Sequence, residues 1–370
     1  MTGKGSVGNW KTWPAGLPKG LFLLGLLLLC GCGLKARTLK ESSLSFNRAL
    51  SEALSEQLLL NLVRLRYGEP PVFLQVTSIS TQYGFSGEAS VGTDIEEAYP
   101  DTYHLGLGFS YALRPTFTFA PLQGKEFARR LLSPIPVEHV VLLLNSGWRA
   151  DRVLRLCVQR LNHLENAPTA SGPTPTEAPR FRKFLQAVSL LEKLREAGKI
   201  QFSFAQEKGR LLPVLKVAPE ARKLPTLQTV RNLLGLPPAE RYYLLGPGTA
   251  LGSSGIRLET RSLIGVLFYL SNGIEVPEED LSSGKLPLTR NPDGSPFSWA
   301  EVLGDIFRIK TSRSLPEGAL IAVRHRGFWF YISDRDFSTK STFILLGQLF
   351  ALEASREGGP APLLTLPIGK

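Results

Sequence analysis

Asp334 and Asp336 stand one residue apart beside the densest aromatic cluster of the chain, and two carboxylates so placed could act as general acid and base or hold a cation. The same residues lie just before the last helical pattern. There an aspartate or Ser338 caps the first amides, and Asp334 suits the preceding turn, which is the reading favoured here. The four histidines, His104, His139, His163 and His325, are far apart and form no helical pair of ligands, so no metal site is expected. Gly84-Phe85-Ser86-Gly87 and Gly252-Ser253-Ser254-Gly255 lack the Gly-x-Ser-x-Gly elbow of serine hydrolases. Gly106-Leu107-Gly108 falls in a strand pattern without the helix that a phosphate-binding loop needs, and no cofactor is expected.

Phe328-Trp329-Phe330-Tyr331 is flanked by Arg324, Arg326 and Arg335. Strand neighbours face opposite ways, so Phe328 and Phe330 share one face and Trp329 and Tyr331 the other. One face belongs to the core. The other is either covered by the last helix, the favoured expectation, or is a stacking surface in which Trp329, Tyr331, Arg324 and Arg326 bind a sugar, peptide or lipid.

The strongest chemical signal is a thiol at the other end of the chain. Lys4, Lys11 and Lys19 precede an unbroken apolar run, Leu21 to Leu29, that ends in Cys30-Gly31-Cys32-Gly33. A cationic start, a short apolar middle and small residues before a cut make an export signal. Leu29-Cys30-Gly31-Cys32 is similar to the lipoprotein version, in which the final cysteine takes a diacylglycerol, and Cys32 is the expected acceptor. Taking Cys30 instead would set bulky Leu29 against the cut. A bilayer-spanning helix wants about 20 apolar residues, more than this run supplies. One acyl chain holds a protein only reversibly, at ~0.8 kcal/mol per buried methylene; the two or three of a lipoprotein hold it firmly. Gly33, not Asp, follows the acceptor, which in a Gram-negative cell points to the periplasmic face of the outer membrane.

The formal charge is +11, and cleavage of a leader with three lysines and no acids leaves +8. For an exported protein that charge suits anionic headgroups or envelope polymers and an envelope protein partner, with no nucleic acid expected. Once Cys30 is cleaved and Cys32 acylated, Cys157 alone remains, too few for an internal disulfide. It sits in an apolar helical pattern and reads as buried filler.

The elements follow from periodicity. Residues Ser45 to Arg66 carry leucines at three- and four-residue steps and predict a helix, stopped by Gly68 and Pro70-Pro71. Val72 to Val91 and Tyr103 to Phe119 alternate as a twisted hairpin with an acidic tip at Asp94 to Asp101. Helices are expected over Lys125–Leu132, Val137–Asn145, Ala150–Leu164 and Phe181–Glu196, with Ala167 to Pro179 a flexible Pro/Thr-rich linker or surface loop. Strands at 200–204, 211–217, 241–245 and 256–258, a helix at Ser262–Ser271, a loop at Pro277–Pro296, a hairpin at 319–332 and a final helix at Ser338–Ala354 complete the pattern. The expected fold class is α+β, mainly antiparallel strand pairs with interspersed helix clusters. The expected organisation is leader 1–31, tether 32–44, an α+β region at 45–166, the linker or loop at 167–179 and a second α+β region at 180–370.

Leu59 to Leu74, Pro115 to Gly124 with Leu131 to Pro136, and Phe328 to Leu349 together resemble a bacterial lipoprotein-like family with no associated activity. The resemblance implies one architecture over most of the mature chain and transfers no functional residue. The expectation is a non-enzymatic, lipid-anchored envelope protein that binds or scaffolds a partner. The rivals are a periplasmic hydrolase of wall or lipid material and, more weakly, a lipid carrier, which would need a deep apolar cavity.

Overall fold

The hairpin, the longest strand feature among the described residues, leaves the body from a helix that supplies its first backbone partners. A computed structural model describes residues 44, 46–94, 102–207, 209–238, 241–248, 255–354 and 363–365. The chain divides into two units, Met1–Leu54 and Ser55–Lys370. Cys32, the leader and the hairpin tip at 95–101 lie outside the described residues.

Helix α1 (46–66) ends at the Gly68 turn, where φ is +70°. Its Asn61 amide donates to the Val72 carbonyl at 2.7 Å and accepts from the Val72 N–H at 2.9 Å; one turn earlier Gln57 does the same for Leu74 at 3.3 and 3.1 Å. Two side chains thus replace the neighbouring strand that the start of β1 lacks, since each backbone polar group needs a partner. Strands β1 (Leu74–Asp94) and β2 (Thr102–Pro121) then pair antiparallel over their whole length, with one bulge between Val76 and Ser78. Leu122 N–H closes the root on the Phe73 carbonyl at 2.8 Å. The short β12 (Leu363–Thr365) adds to β1 in parallel at Ser78–Ser80.

Helices α2 (Lys125–Leu132) and α3 (Val137–Asn145) follow at the bounds read from sequence. Helix α4 (Ala150–Cys157) does not reach Leu164, as its periodicity suggested. The chain turns at Val158 into β3 (Val158–Leu161), and Asn162, at φ +52°, leads into β4 (Leu164–Glu165). The reason is a competing partner for the carbonyls of the last turn. Arg261 N–H takes the Cys157 carbonyl at 2.7 Å, and its guanidinium donates to Arg155 at 3.1 Å, Leu156 at 3.3 Å, Val158 at 2.8 Å and to Asn166. Carbonyls so engaged are withdrawn from a continuing helix.

A six-stranded sheet of order β4-β3-β8-β7-β6-β5 forms the centre. It includes the expected hairpin β5 (Ile200–Glu207) and β6 (Arg210–Val217), then β7 (Tyr242–Gly246) and β8 (Gly255–Thr260). β7 and β8 run parallel; the other pairs are antiparallel. Helices α5 (Arg182–Glu196) and α7 (Leu263–Ser271) flank α4, with Phe184, Leu191, Val266 and Leu270 in the core. Three short elements fall outside the sequence reading: α6 (Pro225–Leu234), α8 (Glu278–Ser282) within the expected loop, and α9 (Ala300–Leu303). Residues 167–179 hold a 3-10 turn with Ala167 and Ala170 buried, and Thr289 donates to the Pro175 carbonyl at 2.7 Å. A third sheet, β10-β11-β9, contains the predicted hairpin β10 (Ala319–His325) and β11 (Phe328–Ser333), edged by the unexpected β9 (Lys310–Ser312). Helix α10 (Phe337–Ala354) follows this sheet. The fold is α+β with antiparallel-dominated sheets.

Arg261 is 1 % exposed, with its guanidinium carbon 3.9 Å from the centre of the Tyr269 ring. Burial pushes its pKa down to about 10, so it stays charged at neutral pH. Desolvating it costs several kcal/mol, which four charge-assisted bonds at about 1.5–3 kcal/mol each offset. Arg261→Met takes this donor from the Leu156 and Asn166 carbonyls, while the Asn166 amide still serves those of Arg155 and Val158, and is expected to lower stability by about 2–4 kcal/mol. Arg261→Lys, lacking the planar fork, is expected to recover less than half of that. Equal urea midpoints for all three proteins would refute the role.

Candidate functional site

The α1 terminus, α8 and the β10–β11 turn converge on a polar network that no sequence spacing announced. Tyr67 donates its hydroxyl to Asp280 at 2.7 Å, and Asp280 also accepts from Lys285 at 2.8 Å. Arg326 sits with its guanidinium 4.7 Å from the Tyr67 ring centre and donates to Glu69 at 3.0 and 2.7 Å. His325 meets Glu69 at 3.3 Å and lies edge-on to Tyr67 at 5.4 Å between ring centres. The geometry comes from the turn: Arg326 takes φ +48° and Gly327 +90°, a tight two-residue connection that matches strand twist.

The charges in this network are fixed by their neighbours. The Lys285 bond is the main cause that holds the Asp280 carboxyl below its ordinary range, and the Tyr67 hydroxyl adds to it against burial. Burial alone would raise Glu69, but Arg326 and His325 together outweigh it and its pKa is lowered. Burial, reinforced by Asp280, raises the Tyr67 phenol, so it remains a donor.

The sequence-derived binding residues separate here. Trp329 and Tyr331 are half-buried on one face of β11, with Phe330 and Ile332 fully buried on the other. Arg324 is exposed and sits directly opposite Trp329; Ser312 of β9 flanks it on the other side, and Lys310 lies beside Tyr331. Arg324, Trp329 and Tyr331 therefore stay together on an aromatic and cationic strip. Arg326 leaves it for Glu69 and Tyr67.

The remaining candidates occupy structural positions. Asp336 accepts from the Thr339 N–H at 3.0 Å and from its hydroxyl at 2.7 Å, as an N-cap does, while Asp334 pairs with Lys340 at 2.6 Å. His139 bonds Glu353 at 2.7 Å, and His163 is exposed. His104 lies in β2, and Ser86 in β1; Ser253 and Ser254 fall outside the described residues. Among the described residues, no three of His, Cys, Asp or Glu gather as metal ligands. Burial pushes the Cys157 thiol up to about 12, which suits an unreactive filler.

One cavity combines charge with apolar walls. It measures about 370 Å³ and is lined by Arg66, Asn272, Phe297, Trp299, Phe307 and Arg308, among others. Arg66 is 6 % exposed and bonds Thr174 at 3.0 Å, with no carboxylate in ion-pair range among the described residues; its Nε and the Asn272 Oδ1 lack partners. Glu275, also in the lining, is taken by Arg308. A buried guanidinium without a counter-ion can receive an anionic group. Arg66 is one residue from Tyr67, so the cavity and the network share the end of α1. No family model matches the chain, and neither curated proteins nor solved structures give a match.

Because the folded pKa values of Asp280 and Glu69 are depressed, their stabilisation is complete above the ordinary carboxylate range near about 4 and is lost as pH falls through the folded values. The double variant Asp280→Asn, Glu69→Gln should be less stable than wild type at pH 7 and should lose less stability between about pH 5 and pH 2. Parallel acid-denaturation curves would show that the network contributes nothing pH-dependent.

Proposed function

We propose that this chain is a lipid-anchored bacterial envelope protein that binds or scaffolds a partner instead of catalysing a reaction. The Leu29-Cys30-Gly31-Cys32 sequence behind a cationic, apolar leader carries this reading. Export removes the leader, the Cys32 thiol takes the diacylglycerol, and two or more acyl chains keep the body on the membrane. The +8 charge of the processed chain favours anionic headgroups or envelope polymers. Two places in the body suit a bound partner: the Arg324, Trp329, Tyr331 strip and the cavity in which Arg66 has no acidic partner among the described residues. In the first, an arginine and half-exposed aromatic rings offer stacking and charge together. In the second, a guanidinium faces apolar walls.

Metabolic labelling with a palmitate analogue should tag the wild-type protein and leave Cys32→Ala untagged and displaced from the membrane fraction. Label retained by Cys32→Ala would overturn Cys32 as the acceptor. Substituting Asp334, Asp336 and the histidines should leave partner capture from detergent extracts unchanged.

A further inference from the structure

The β1–β2 hairpin carries a pattern that the tether does not explain. From Tyr83 onward its register couples Tyr83 with Leu113, Phe85 with Tyr111, Gly87 with Phe109, Ala89 with Leu107, Val91 with Leu105 and Thr93 with Tyr103. Each of these pairs contains a large apolar or aromatic residue. The pairs between them join Gln82 with Arg114, Gly84 with Ala112, Ser86 with Ser110, Glu88 with Gly108, Ser90 with Gly106 and Gly92 with His104. All of those are small, polar or charged. Successive pairs belong to opposite faces of a ribbon, so one face is apolar by composition and the other hydrophilic throughout.

A ribbon packed on a soluble core would need covering only near its root, yet the apolar set continues to the far end. Its extent is informative. Tyr83 to Thr93 is about 11 residues, or about 36 Å at ~3.3 Å per residue, and at the ~45° tilt of a membrane strand it rises about 26 Å. Outer-membrane strands show an apolar band about 25 Å tall with aromatic residues at both rims. Tyr83 and Tyr103 stand at the two ends of this band. Beyond it the connecting sequence carries Asp94, Glu96, Glu97 and Asp101, as a segment returned to water would.

We propose that the β1–β2 ribbon inserts into a lipid bilayer, its apolar face against the acyl chains, and that its edges pair with the ribbons of further copies of this chain. The second half follows from the first. Among the described residues, the strands beyond Ser80 have only each other as paired strands, and open strand edges are not tolerated in hydrocarbon. Closure needs about eight strands or more, hence about four or more copies, with the Ser, Gly and Glu88 face turned to the lumen. The ribbon reading is independent of Cys32; acylation would only bring the ribbon to the surface it enters.

The test uses the full chain, purified from membranes and reconstituted in vesicles of phosphatidylethanolamine and phosphatidylglycerol, with one nitroxide at a time on cysteines placed at Phe85, Leu107, Phe109, Ser86, Ser90 and Ser110. Oxygen accessibility is expected to exceed that of a water-soluble nickel complex at the first three and to fall below it at the serines, repeating every two residues. Chemical cross-linking in the same vesicles is expected to give species of about four copies or more. Ser110→Arg should preserve the alternation, and Phe109→Arg should abolish it at Leu107. Buried Cys157 serves as the folding control, since it stays unreactive to thiol reagents wherever the body is intact. Nickel accessibility alike on both faces of a folded, acylated protein overturns the insertion and leaves the tether standing. Alternation in a protein without acyl chains does the reverse. Monomer alone after cross-linking removes the assembly.

Discussion

The body is organised around the buried charge of Arg261, which has no carboxylate in ion-pair range among the described residues. Arg261 collects the carbonyls that end α4, the Asn166 carbonyl and the Tyr269 ring, and thereby joins α4, β3, β8 and α7 at one point. A guanidinium at a helix C-terminus is favoured by the helix dipole as well as by direct bonds. The arrangement also sets chain direction: because the last carbonyls of α4 are spoken for, the chain leaves as a strand and completes the central sheet. Asn166 shares the task by donating to Arg155 and Val158 carbonyls at 2.8 and 2.7 Å. The carbonyls at this junction are paired although the Arg261 and Arg155 Nε atoms have no partner among the described residues, and a buried network with this many bonds is costly to open.

This junction explains the main place where periodicity misled. Cys157 and Leu161 are four apart and both buried, so they fit a helix, but a strand also buries alternate residues, and Val158 pairs with Thr260 instead. Deciding between the two needed Arg261, 104 positions along the chain from Cys157 by numbering and invisible to any local window. Helix α6 carries its own local signals: Pro225 at its first turn and Gly235 in the left-handed region at its end are the ordinary start and stop signals. The long hairpin, α2, α3, the β5–β6 pair and the β10–β11 hairpin were legible because each is local and strongly patterned.

The polar sites were legible only in fragments. The aromatic cluster announced Trp329 and Tyr331, yet it also suggested that Arg324 and Arg326 act together. Turn geometry separates them, since a residue at positive φ beside Gly327 points away from the strand face. Tyr67, Glu69 and Asp280 gave no signal: Tyr67 and Asp280 are 213 positions apart, Glu69 and Arg326 are 257. Arg66 was hidden within an amphipathic helix pattern, where an arginine reads as a solvated residue until its burial is seen.

The proposed function combines a chemical tether with a surface chemistry. On the proposed reading, a thiol at Cys32 would supply attachment, and the cationic strip and cavity would supply recognition near anionic material. Attachment comes first, because without it the positive charge would be open to other partners, nucleic acid included. Intact mass measurement of the N-terminal peptide from membrane-extracted protein addresses it most directly. The expected result is a terminus at Cys32 heavier than the bare peptide by at least a diacylglyceryl group; a terminus at Met1, or an unmodified Cys32, would contradict the tether.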